Sequence, residues 1–175
     1  ESDSLTAVPV GRCKKIFPGN LIGNEFAITL HGCRNKRRLY SAIKELSAKG
    51  MPNYFGLQRF GKNRNNHIVG KSIIKRRFSN ALNVINKDSK KKYRSIKEVP
   101  KSLLKFFINA YQSWLFNETL NKYIVANKKP YFRDAAILGF KTRVGKSRAD
   151  RILRNIRKTE GVTPKDFRIN ELMLS

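Results

Sequence analysis

Acidic side chains are scarce in this chain: 12 Asp and Glu stand against 38 Lys and Arg across 175 residues. No spaced carboxylate pair stands out among them, so metal-assisted phosphoryl transfer has little to build on. Cysteine is scarcer still. Cys13 and Cys33 do not make a disulfide framework, and nothing resembles a secretory signal. A reducing intracellular setting, cytoplasm or mitochondrial matrix, is therefore expected. The two cysteines with His31 and His67 show no C-x₂-C or H-x₃-H spacing, which argues against a closed zinc site. There is no apolar run long enough to span a bilayer, no lipidation signal and no internal repeat.

What is present is positive charge. The net value of +26 favours a polyanionic partner and steeply salt-dependent binding. The excess is uneven: residues 1–50 carry net +5, residues 51–108 net +13 and residues 109–175 net +8. The middle third holds half of it, and that is where an RNA is expected to lie.

Elements can be placed by period and punctuation. Residues 8–17 read as extended. Residues 25–30 alternate, with Phe26, Ile28 and Leu30 on one face, as a half-buried strand does. Residues 36–49 repeat Leu39, Ile43 and Leu46 at helical spacing, with Gly50 at the capping position. Residues 66–86 predict one helix whose apolar stripe runs from Val69 to Ile85, with Lys71, Lys75, Arg76 and Arg77 mostly off it. Residues 87–99 read as a basic linker or flexible loop carrying Lys90, Lys91 and Lys92. Pro100 suits a helix start, and residues 101–126 predict the longest helix. A short strand is expected at 135–140. Ser147 and Asp150 have capping-box spacing, opening a helix with Arg148, Arg151, Arg154, Arg157 and Lys158 outside. That arginine face would either grip RNA or be solvated. Residues 139–147 end in Gly-Lys-Ser, but one residue too many separates the glycines for a phosphate loop.

Residues 52–61 read Pro-Asn-Tyr-Phe-Gly-Leu-Gln-Arg-Phe-Gly. Three aromatics, two glycines, Arg, Asn and Gln in ten positions fit neither a period of two nor one of 3.6. Pro52 and the glycines predict a rigid loop presenting planar rings beside amide and guanidinium donors. Rings stack on a nucleobase, amides pair with its edge and Arg binds phosphate or stacks. A loop whose aromatics merely anchor it to the core has the same composition.

This decamer, PNYFGLQRFG, is similar to the signature loop of the TruD-type tRNA pseudouridine synthases. Three further stretches resemble that family in the same order: Gly19-Asn-Leu-Ile-Gly-Asn-Glu-Phe26, Asn63-Arg-Asn-Asn-His-Ile-Val-Gly70 and Ala110-Tyr-Gln-Ser-Trp-Leu-Phe-Asn117. Leu138 to Arg143 is a weaker match. The resemblance implies an α+β fold, with a mixed or antiparallel sheet packed with helices. It implies conversion of uridine to pseudouridine with neither metal nor cofactor, an ionised aspartate starting the cleavage of the glycosidic bond. It places Asn53 and Phe55 at the uridine pocket. Arg59, Lys62, Arg64, Lys71, Lys75, Arg76, Arg77, Lys90, Lys91, Lys92, Arg148 and Arg151 are then candidate RNA contacts.

The family's catalytic aspartate lies in an upstream Gly-x-Lys-Asp segment, and this chain begins at Glu1; Asp3 has the wrong neighbours. The expectation is a single TruD-like domain, truncated at both ends, with a shortened insertion between Gly70 and Ala110 and inactive alone. Two functions are compatible with it. One is a segment of a synthase acting on tRNA or another structured RNA. The other is a synthase-derived structural component bound to ribosomal RNA, beside ribosomal proteins, in a ribosome, a mitochondrial one included.

Overall fold

In the computed structural model, the residues described are 11–12, 23, 25–127 and 136–168. They form six α-helices: α1 (Lys36–Lys49), α2 (Leu57–Phe60), α3 (Asn66–Ile74), α4 (Phe78–Asp88), α5 (Lys101–Asn127) and α6 (Arg148–Glu160), with short 3₁₀ turns at Ile96–Glu98 and Pro164–Phe167. The chain divides into two units, Glu1–Tyr40 and Ser41–Ser175.

The expected sheet is not seen among the described residues. Among the described residues no strand forms, and the α+β reading is corrected to a helical one. Residues 25–30 alternate as a strand should, yet Phe26 and Ile28 are each 77% exposed. Alternation states which face a strand would bury. It does not supply the neighbour that must take its N–H and C=O groups, and no described residue supplies one. Residues 136–140 are likewise irregular. The extended segment expected at 8–17 lies, apart from Gly11 and Arg12, outside the described residues.

The second unit is built on α5. Leu104, Phe107, Ile108, Tyr111 and Leu115 are buried along it at helical spacing, and α3 and α6 both pack against it. The contact with α3 is close because position 70 is glycine: a Cβ there would stand 2.0 Å from the Phe107 carbonyl oxygen. The core adds Val69, Ile73 and Ile74 from α3, Ala81 and Ile85 from α4, and Leu153 and Ile156 from α6.

Two helices occupy the span where periodicity predicts one. The break falls at residues 75–77, where Arg76 adopts φ +55°. No glycine or proline marks it in the sequence, so the stripe reads straight through. The following segment, 89–99, folds onto the core. Asn86 accepts from the Tyr93 N–H and donates to the Tyr93 carbonyl, each at 2.8 Å, and Tyr93 and Val99 are buried.

The capping box of α6 forms as its spacing predicts. The Ser147 hydroxyl accepts from the Asp150 N–H, and the Asp150 carboxylate accepts from the Ser147 N–H. Gly161, at φ +61°, closes the helix in the left-handed conformation that favours glycine. No helix among the described residues is long and apolar enough to cross a membrane.

Candidate nucleic-acid interface

The loop of residues 52–61 contains one helical turn, α2, between Gly56 and Gly61. Its approach is fixed from a distance. The Phe55 N–H donates to Asn117 Oδ1 at 3.0 Å, and Asn117 Nδ2 donates to the Phe55 carbonyl at 3.0 Å. A primary amide paired with both backbone groups of one residue in this way satisfies the N–H and the C=O on either side of its Cα and fixes the local backbone.

The Phe55 ring meets Phe116 edge-on, with centroids 5.5 Å apart and planes at 80°. The Arg59 guanidinium lies over the same ring, 5.5 Å from its centroid. Phe55, Gly56, Gln58, Arg59 and Phe106 border an open cleft of about 420 Å³. It offers a ring, a cation and an amide in one place. Asn53 is exposed and is not among the residues bordering it.

Behind α2 four rings stack in a column. His67 lies 5.7 Å from Trp114, Trp114 lies 6.0 Å from Tyr111 and Tyr111 lies 6.2 Å from Phe167, with planes within about 10° of parallel at each step. Phe60 of α2 caps the column edge-on at His67. Tyr111 donates its hydroxyl to Glu160 at 2.8 Å, and Lys71 pairs with the same carboxylate at 2.8 Å. Burial pushes the Glu160 carboxyl up. The bonds from Lys71 and Tyr111 and the charges of Lys71 and Lys75 outweigh that and hold it below its ordinary value. Burial, and then the Glu160 bond, push the Tyr111 phenol well up. Burial and the nearby Lys71 lower the His67 imidazole, with Glu160 opposing.

The remaining candidate cations scatter. Lys62 and Arg64 are exposed beside α2, and Arg76 and Arg77 are exposed at the α3–α4 break. Lys75 is half-buried, and Lys71 is held by Glu160. Lys90 is exposed, Lys91 lies 5.4 Å over the Tyr93 ring, and Lys92 donates to the Asn86 and Ser89 carbonyls. Arg148 and Arg151 are exposed on α6; Arg154 and Arg157, expected outside with them, are half-buried, and Arg154 donates to the Gly145 carbonyl.

A sequence model of the family described as tRNA pseudouridine synthase D (TruD) matches residues 4–93 and 81–131. The chain belongs to the TruD family. The Methanocaldococcus jannaschii relative described as probable tRNA pseudouridine synthase D 1 is 32% identical over 90% of this chain and 54% of its own length. The Methanopyrus kandleri relative, described in the same terms, is 27% identical over 96% of this chain and 57% of its own. The chain thus spans just over half the length of these curated relatives. A TruD crystal structure from Methanosarcina mazei superposes with a TM-score of 0.62 over 80% of this chain and 53% of that one, at 19% identity, a likeness of fold. These TruD relatives lend no support to the ribosomal alternative.

Within this TruD segment, the sequence singles out Phe55 and Arg59 but gives no role to the residue that holds Phe55. Asn117 sits 62 positions away, and only the motif ending at Asn117 hinted at it. Sequence spacing offers His67 only as a metal ligand without a partner, and Trp114 falls inside the long helix expected at 101–126. Asp88 read as one more acid in the basic linker. It accepts from Asn63 at 2.7 Å and Asn65 at 2.6 Å, tying the turn after α2 to the end of α4.

Proposed function

We propose that this chain forms the uridine-holding surface of a synthase that converts uridine to pseudouridine in tRNA. The observation that carries the reading is the presentation of Phe55: its backbone is fixed on both sides by Asn117, and its ring opens with Arg59 onto one cleft. A uracil turned out of its stack is held by a ring on its face and amides at its edge, with Asn53 exposed on the same loop just before Phe55. The net charge of +26 draws the phosphates in. Lys62, Arg64, Arg76, Arg77, Lys90, Arg148 and Arg151 are the exposed cations that would meet them.

The reaction moves the sugar bond from uracil N1 to C5, so the hydrogen on C5 is released as a proton. Its initiating aspartate is assigned to none of the described aspartates. Asp88 holds Asn63 and Asn65, and Asp150 and Asp166 cap their helices. The reading gives this chain the binding surface and leaves the carboxylate to another segment.

The test is tritium release from a tRNA transcript labelled at uracil C5, using the native protein. Release is expected, and Phe55→Ala should lower it roughly tenfold to a hundredfold, the size of one lost stacking contact. No release, or release untouched by Phe55→Ala, overturns the reading.

A further inference from the structure

A second cleft, of about 230 Å³, opens on the other side of α2. It is below the usual size of a drug-like pocket and suits one planar ring. α2 supplies Leu57 and Phe60, α3 supplies His67, and α5 supplies Trp114, Glu118 and Asn117, the last also bonded to the Phe55 backbone. Arg64 stands at its border.

Four features mark it as built. Arg64 has φ +53°, a left-handed backbone that a non-glycine residue adopts at a cost. Its two neighbours hold it there, since Asn63 and Asn65 each donate to one oxygen of the Asp88 carboxylate. Within the column, His67 Nδ1 is enclosed with no hydrogen-bond partner, which is rare for a buried polar atom. Leu57, an apolar side chain at the mouth, is 60% exposed. In a chain with 38 basic residues, Glu118 makes no ion pair among the described residues.

We infer that this cleft takes a guanine base of the bound RNA, next to the uridine held at Phe55; the inference rests on the RNA-binding reading above. The choice of base follows from Glu118. A carboxylate only accepts hydrogen bonds, and guanine alone offers two adjacent donors, N1–H and N2–H, on its Watson–Crick edge. Adenine and cytosine set one amino donor beside a ring-nitrogen acceptor. Uracil flanks its single donor with two carbonyls. Leu57, Phe60 and Trp114 furnish the apolar walls, and Arg64 at the mouth meets the adjoining phosphate.

The chain's single tryptophan, Trp114, lies in the cleft wall and serves as a local reporter. The probes are heptauridylate and three variants in which both neighbours of the central uridine are G, A or C. The G variant should bind about tenfold tighter than the A and C variants and change Trp114 emission. Glu118→Gln should erase that preference while leaving heptauridylate binding unchanged or tighter. Removing a negative charge from so basic a chain strengthens phosphate binding in general, so a loss confined to the G variant has the opposite sign to the background. Arg64→Ala should weaken the G variant most. Equal binding of all four probes, equal loss across them in Glu118→Gln, or an unchanged Trp114 emission on G binding overturns the inference. Phe55→Ala separates the two readings. If it alters nothing while the guanine preference stands, the uridine reading fails and this site survives.

Discussion

Asn117 grips Phe55 by both its backbone N–H and its carbonyl, two 3.0 Å bonds across 62 residues of sequence. A ring fixed in this way is ready to receive a base without first being ordered, which lowers the entropic cost of binding.

Asn117→Ala therefore leaves two half-buried backbone groups without partners. It should cost about 1–3 kcal/mol in denaturant unfolding and weaken uridine-containing RNA at least about tenfold. Asn117→Asp keeps the acceptor for the Phe55 N–H but loses the donor to its carbonyl, so it should fall between Ala and wild type.

Gly70→Ala tests the α3–α5 contact. The new methyl would meet the Phe107 backbone oxygen at 2.0 Å, which no rotamer change relieves. Thermal unfolding should show a loss of about 3 kcal/mol or more. A near-neutral result would mean that the two helices do not cross there.

Acidification should destabilise the fold in two steps. His67 is lowered in the folded state from 6.5, so the unfolded chain binds its proton first. Its contribution is present above pH 6.5 and is lost as pH falls from there through the folded value. Glu160 is lowered from 4.5, so its contribution is present above 4.5 and is lost as pH falls through its folded value. Unfolding free energy measured from pH 8 to 3 should lose the first step in His67→Phe and the second in Glu160→Gln.

The salt dependence of binding separates exposed cations from engaged ones. Lys62→Ala should lower the slope of log affinity against log salt by about 1. Lys71→Ala should leave that slope unchanged, because Lys71 is paired with Glu160, and should instead reduce stability by about 0.5–1 kcal/mol.

Helices α5 and α6 were legible because their apolar spacing, Pro100 and the Ser147–Asp150 pair all point the same way. The break at Arg76 was not, since a left-handed arginine leaves no mark in composition. The segment at 25–30 has the alternation of a strand, but pairing depends on a neighbour, and alternation carries no information about one. At the site, Phe55 and Arg59 stood out by residue type. Their support did not, because Asn117, Trp114 and Glu118 lie on a helix whose period reads as core, and His67 has no spacing partner to single it out.

The most direct measurement is photocrosslinking of a tRNA transcript carrying 5-iodouridine to the native protein, with the modified peptide mapped by mass spectrometry. The account predicts adducts within residues 53–60, centred on Phe55 and lost in Phe55→Ala. Adducts confined to residues 90–92 or to the arginines of α6, with none at 53–60, would contradict it.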